Sequence, residues 1–175
     1  MKKILIGIFI VVIIGALFWY AKEKAKNYPV TASDFKNATY IIEGQSIMLV
    51  NGYAETATAP GSASKTITQY FGNKAIDDLN DDGVADTAFL LTQTGSGSGT
   101  FYYVAAALKT ADGYVGTNAV FLGDRIAPQT TEIKNGELIV NYADRKPGEP
   151  MTAPPSIGIS KYLKISGTTL VEVKS

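Results

Sequence analysis

The chain has 175 residues, enough for one core and an appendage, and 46% of them are hydrophobic. It contains no Cys and no His, which excludes disulfides, zinc sites of the Cys/His kind and every Ser-His or Cys-His catalytic arrangement. The net charge is zero, but five Lys against one Glu put residues 1–27 at +4 and the remainder at −4, and that acidic remainder argues against a nucleic-acid partner.

Residues 4–21, ILIGIFIVVIIGALFWYA, are uncharged and apolar on all sides. These 18 residues rise about 27 Å as a helix, close to the hydrocarbon thickness of a bilayer. Trp19 and Tyr20 stand at one end, where aromatic rings favour the headgroup region, and Lys2 and Lys3 flank the other. A cleaved signal peptide is the alternative, but Trp19, Tyr20 and a Lys-rich stretch occupy the place where small residues are needed for cleavage. The segment therefore reads as an uncleaved signal anchor. The short tail stays inside and the long C-terminal part lies outside the cytoplasm. Residues 1–27 are the anchor and its basic flank, 28–37 a polar stalk and 38–175 a β-rich domain.

Within that domain, strand-like runs alternate with turn signals. Residues 39–42 and 46–50 flank Glu43-Gly44-Gln45, and Asn51-Gly52 marks a turn. A loop over 57–64 precedes a strand over 65–71. The apolar run 87–93, TAFLLTQ, is a strong strand, followed by the connector 94–99, TGSGSG. Residues 100–109 form another strand, and Ala111-Asp112-Gly113 turns into a strand over 114–122. Asn135-Gly136 is a hairpin signal between 126–133 and 137–142. Four of the seven prolines fall in 146–156, which cannot be a central strand. A hairpin around Ser166-Gly167 closes the chain. No helical stripe of useful length follows residue 34. The expected class is mainly β, as an antiparallel sandwich or an open barrel preceded by one transmembrane helix.

The chemistry concentrates between 78 and 86, Asp-Leu-Asn-Asp-Asp-Gly-Val-Ala-Asp. Counting from Asp78, Asn80 is third, Asp82 fifth, Val84 seventh through its carbonyl and Asp86 ninth. Gly83 is sixth, where a calcium loop turns sharply. These positions match the start of an EF-hand loop. Position twelve, where a bidentate Glu belongs, is Phe89, and a strand rather than a helix follows. Asn, Asp and Gly also build ordinary turns, so a metal-free hairpin is the competing reading. Against it, Asp77, Asp78, Asp81 and Asp82 crowd four carboxylates into six residues, and a cation would neutralise them. Ca²⁺ suits the site better than Mg²⁺, with an affinity of about 10⁻⁴–10⁻³ M and a structural role.

The loop resembles the strand–loop–strand calcium turns of FG-GAP repeats, although a single copy speaks against a propeller. A wider resemblance rests on Leu49-Val50-Asn51-Gly52, the acidic loop, Gly97-Ser98-Gly99-Thr100-Phe101-Tyr102-Tyr103, Phe121-Leu122-Gly123-Asp124-Arg125 and Pro147-Gly148-Glu149-Pro150-Met151. Over about residues 38–173 the chain resembles an uncharacterised domain of bacterial envelope and secreted proteins. The resemblance implies export to the bacterial cell envelope and brings no activity with it.

Other features are weaker. Gly95 to Gly99 lacks the Lys-Ser/Thr of a phosphate loop and precedes a strand, so it reads as a connector. Asp124-Arg125 reads as an ion pair that holds a turn. Of Phe101, Tyr102 and Tyr103, at least one must face the core, because neighbours on a strand point to opposite sides. The reading that fits best is a membrane-anchored, extracytoplasmic, non-enzymatic β domain with a calcium loop. It would bind or scaffold an envelope protein or glycan. The alternative is an envelope hydrolase using two carboxylates drawn from Glu43, Glu55, Glu132 and Glu137.

Overall fold

The computed structural model describes residues 31–174. The anchor expected over 4–21 lies outside the described residues, and no helix among them is long and apolar enough to cross a membrane. A 3₁₀ turn at Phe35–Asn37 precedes twelve strands. They begin with β1 (Thr39–Ile42), β2 (Gln45–Met48), β3 (Tyr53–Ala57) and β4 (Lys65–Asp77). Next come β5 (Asp86–Thr94), β6 (Thr100–Thr110), β7 (Gly113–Gly116) and β8 (Asn118–Asp124). The last four are β9 (Ala127–Lys134), β10 (Glu137–Asp144), β11 (Ile157–Ser166) and β12 (Thr169–Val173).

The expected β class is observed as two sheets. Eight strands run β2-β1-β8-β6-β5-β4-β3, with β7 also on β6, and curl into a nearly closed barrel. The other four run β12-β11-β10-β9. Pairing is antiparallel throughout except between β1 and β8, which run parallel and so depart from the expected pattern. The end strands β2 and β3 meet through the Asn51-Gly52 turn, where Val50 and Tyr53 exchange backbone hydrogen bonds of 2.8 and 3.1 Å.

Strands β5 and β6 explain the two-layer arrangement. Phe89 and Leu91 on β5, and Tyr103, Ala105 and Ala107 on β6, face the barrel interior with Tyr40, Ile42, Ile47 and Leu49. Their alternates Ala88, Leu90, Val104 and Ala106 face outward onto Leu138, Val140, Tyr142 and Leu163 of the second sheet. A strand buried on both faces reads as a continuous apolar run, which is why 87–93 is so apolar.

One end of the barrel is stoppered. The ring of Phe35 lies 5.2 Å from Phe89, 5.8 Å from Tyr70 and 6.2 Å from Tyr114. Lys36 Nζ sits 4.2 Å above the ring of Tyr70. Ala32 exchanges backbone hydrogen bonds of 2.9 and 2.7 Å with Tyr114. Residues 31–37, assigned to the stalk on sequence, therefore lie against the barrel.

Several strand boundaries differ from expectation. β4 continues past Phe71 through irregularities at Gly72 and Asn73. The stretch 53–57 is a strand rather than unassigned chain. The single strand expected over 114–122 is broken at Thr117, which is buried and satisfies both backbone groups of Ala106. Thr117 N–H donates to Ala106 O at 2.9 Å, and Thr117 Oγ1 accepts from Ala106 N–H at 3.0 Å. The segments on either side of it, β7 and β8, pair with β6 in succession, with the register shifted by one residue as at a bulge.

Candidate functional site

The acidic loop joins β4 to β5, so strands flank it on both sides as expected. Its side chains fold back onto its own backbone. Asp78 Oδ1 accepts from Asp82 N–H at 3.2 Å and its Oδ2 from Gly83 N–H at 2.7 Å. Asn80 Oδ1 shares the Asp82 N–H at 3.2 Å, while Asn80 Nδ2 donates to Asp82 Oδ2 at 3.0 Å. Asp82 Oδ1 accepts from Val84 N–H at 2.8 Å. Gly83 lies at φ 82°, a left-handed conformation suited to glycine, and makes the sharp turn. Asp81, at φ 60°, rests its carboxylate over Gly136 at the tip of the β9–β10 hairpin.

Asp86 is different. It is fully buried, and both oxygens are occupied: Oδ2 accepts from Leu79 N–H at 3.1 Å and Oδ1 from Lys109 N–H at 2.7 Å. Burial pushes its carboxyl above the ordinary range. The Lys109 and Leu79 N–H groups oppose that shift, and the charges of Asp82 and Asp78 add to it. Leu79 is buried in the core between the sheets. Asp86 thus staples the base of the loop to β6, and Leu79 pins the loop to the core.

The structure brings Asp78, Asn80 and Asp82 together around one run of backbone and places Asp86 at the base. Among the described residues, no group of three or more His, Cys, Asp or Glu side chains is disposed to hold a metal ion. The oxygen-only donor set and the inward turn of positions one, three and five fit a hard cation. Each of these side-chain oxygens already accepts a hydrogen bond, those of Asp78, Asn80 and Asp82 from within the loop and those of Asp86 from Leu79 and Lys109.

A second feature lies at the open end of the barrel, four residues along β5 from Phe89, or about 13 Å. A cavity of about 270 Å³ is lined by Glu43, Thr66, Gln93, Phe101, Tyr103 and Phe121, among others. A smaller one of about 140 Å³ shares Glu43, Thr66 and Gln93 and adds Gln45 and Thr56, in the gap where β2 and β3 diverge. Tyr103 donates its hydroxyl to Glu43 Oε1 at 2.9 Å, and Gln93 Nε2 donates to the buried Thr68 Oγ1 at 3.0 Å. The Phe121 ring lies 5.3 Å from Tyr103 and 6.4 Å from Phe101. Burial, together with the Glu43 hydrogen bond, raises the Tyr103 hydroxyl well above its usual value.

Sequence reasoning noticed the parts of this mouth but not the assembly. Phe101 is exposed and Tyr103 buried on one face of β6, and both line the cavity. Glu43 is one of the four carboxylates that the sequence offers for hydrolysis. The others stand elsewhere: Glu55 accepts from Tyr53 and faces Lys65, Glu132 accepts from Thr130, and Glu137 opens β10. The turn residue Glu43 itself was the available signal, because a two-residue hairpin turn favours Asn, Asp or Gly there. The Asp124–Arg125 pair is present, with Nη2 to Oδ2 at 3.0 Å and Nε to Oδ1 at 3.2 Å.

No protein-family model, no curated protein and no solved structure matches this chain.

Proposed function

We propose that this is a membrane-anchored, extracytoplasmic β domain of the bacterial envelope with a binding role, and that its β4–β5 loop takes a structural Ca²⁺. The observation that supports the metal is the inward folding of Asp78, Asn80 and Asp82 around residues 82–84. Those side chains, with the Val84 carbonyl and Asp86, would hold the ion. Its charge would offset the repulsion among the aspartates and clamp β4 to β5. The apolar run 4–21 supports the anchor. A binding role is favoured over hydrolysis because the lining of the barrel mouth holds one carboxylate, Glu43, where acid–base hydrolysis uses two.

The test is a thermal melt of the full-length protein in a polyoxyethylene detergent, in EGTA and in millimolar Ca²⁺. A rise of several degrees with Ca²⁺, absent with Mg²⁺, is expected. Identical melts in all three conditions would reduce the loop to a hydrogen-bonded turn.

A further inference from the structure

We propose that the open mouth of the barrel binds a small organic ammonium cation, seated on Phe101, Tyr103 and Phe121 with Glu43 as its counter-charge. This deepens the binding half of the reading above and is independent of its calcium half.

Three observations converge. The first is charge. Among the described residues, Glu43 is the one ionisable carboxylate that lines either cavity, and no Lys or Arg lines them. Among the described residues Glu43 takes part in no salt bridge. Its Oε1 is occupied by the Tyr103 hydroxyl, and Oε2 accepts no hydrogen bond from the described residues. An anionic guest would be repelled here, and a cationic one attracted.

The second is the aromatic lining. Phe101 and Phe121 are 40% and 47% exposed, although the barrel interior below them is closed and apolar. The face of an aromatic ring is electron-rich and attracts a cation, most strongly where a methylated ammonium leaves little hydration to remove. A cavity of about 270 Å³ suits a guest of that size rather than a polymer.

The third is strain. Among the described residues, six non-glycine residues have positive φ, and four of them are Asn or Asp, which tolerate it. The exceptions are Arg125, whose side chain is paired with Asp124, and Glu43, at φ 50°. Glu gains no local hydrogen bond from this conformation, as Asn or Asp can. Its carboxylate is instead carried over the mouth and oriented by Tyr103. Strain kept at a site-lining residue is the pattern expected where the side chain serves a ligand.

The test is isothermal titration of the full-length protein in a polyoxyethylene detergent. The probes are choline chloride and 3,3-dimethylbutan-1-ol, which has the same shape without the charge. Saturable choline binding is expected, about tenfold weaker for the neutral isostere and comparably weaker in Glu43→Gln and Phe121→Ala. Glu43→Asn, which suits the left-handed turn, guards against a folding defect and is also expected to lose the preference for charge. Equal binding of the two probes, saturation by a neutral saccharide in place of choline, or no binding of either probe would overturn the proposal. The melts in EGTA and Ca²⁺ report on the loop and this titration on the mouth, so either reading can fail alone.

Discussion

Tyr103, in the middle of β6, donates its hydroxyl at 2.9 Å to Glu43 at the tip of the β1–β2 hairpin, 60 residues earlier in the chain. The bond crosses the barrel mouth and fixes a strained turn to the central wall. Tyr103→Phe should lower stability by about 1 kcal/mol, the net value of one such bond. In that background Glu43→Asn should recover a similar amount, about 1 kcal/mol, because Asn tolerates the left-handed conformation. Denaturant unfolding of the four variants measures both effects. A second-step loss would sink the strain argument.

Leu90 is fully buried between the sheets, whereas Met48 is 63% exposed on the outside of β2. Leu90→Ala should cost about 2–5 kcal/mol through lost transfer energy and a cavity. Met48→Ala should stay within about 0.5 kcal/mol. Comparable losses at the two positions would contradict the proposed packing of the second sheet on β5.

A β-carbon added at Gly116 would lie 2.2 Å from the carbonyl oxygen of Thr39 and 2.9 Å from the ring of Tyr40. The nearest atom is backbone and cannot move without displacing β1. Gly116→Ala should therefore cost several kcal/mol, in the tail of single-substitution effects that begins at about 4 kcal/mol. Gly148→Ala meets no atom within 4 Å, but its φ of 85° is strained for alanine, so a smaller loss is expected there. Thermal melts of the pair give the ranking, and the reverse order would refute the close approach of β1 to β7.

Asp124 carries a pH signature. Its hydrogen bonds from Arg125 hold the carboxyl below the usual range. The Thr100 N–H and the charges of Arg125 and Arg145 act in the same direction, against burial. The folded value is thus lower than the unfolded one. The resulting stability is present above the unfolded value of about 3.9 and is lost as pH falls through the folded value. Relative to wild type, Asp124→Asn should be less stable by a constant amount above about pH 5, with the gap closing in more acidic solution. A gap independent of pH would mean the pair contributes nothing through ionisation.

Asp82→Asn separates the two accounts of the acidic loop. If an ion sits there, the substitution lowers the melting temperature in Ca²⁺. In EGTA the same substitution removes one of several crowded negative charges and should leave the melt unchanged or raise it. Equal losses in both conditions would assign Asp82 to the turn alone, through its bond to Val84 N–H.

Much of the strand order was legible because it rests on local signals. The apolar run of β5, the Asn135-Gly136 turn with φ values of 52° and 69°, and the proline-rich stretch between β10 and β11 all fall where the residues indicate. What escaped depends on distant partners. The break at Thr117 exists because its carbonyl turns to accept from Ile41 N–H at 3.1 Å and leaves its Oγ1 to serve Ala106 N–H, and the parallel pairing of β1 with β8 joins segments about 77 residues apart. β4 runs through Gly72 and Asn73, ordinary turn formers that here accommodate a register shift against β5. In the loop, the grouping of Asp78, Asn80 and Asp82 follows from their spacing. The burial of Asp86 does not, because the N–H group that holds its Oδ1 belongs to Lys109 on another strand. The mouth was illegible for the same reason: its lining is gathered from β1 through β8.

Ala105, Ala106 and Ala107 are wholly buried, the first and third inside the barrel and the second against the other sheet. The two interiors are therefore divided by a party wall only one backbone thick, with methyl groups as its plaster. A bulkier residue on that wall has no room to lean either way, so drift in one interior must be answered in the other. Variation is free to accumulate along the outer edges while this wall stays narrow.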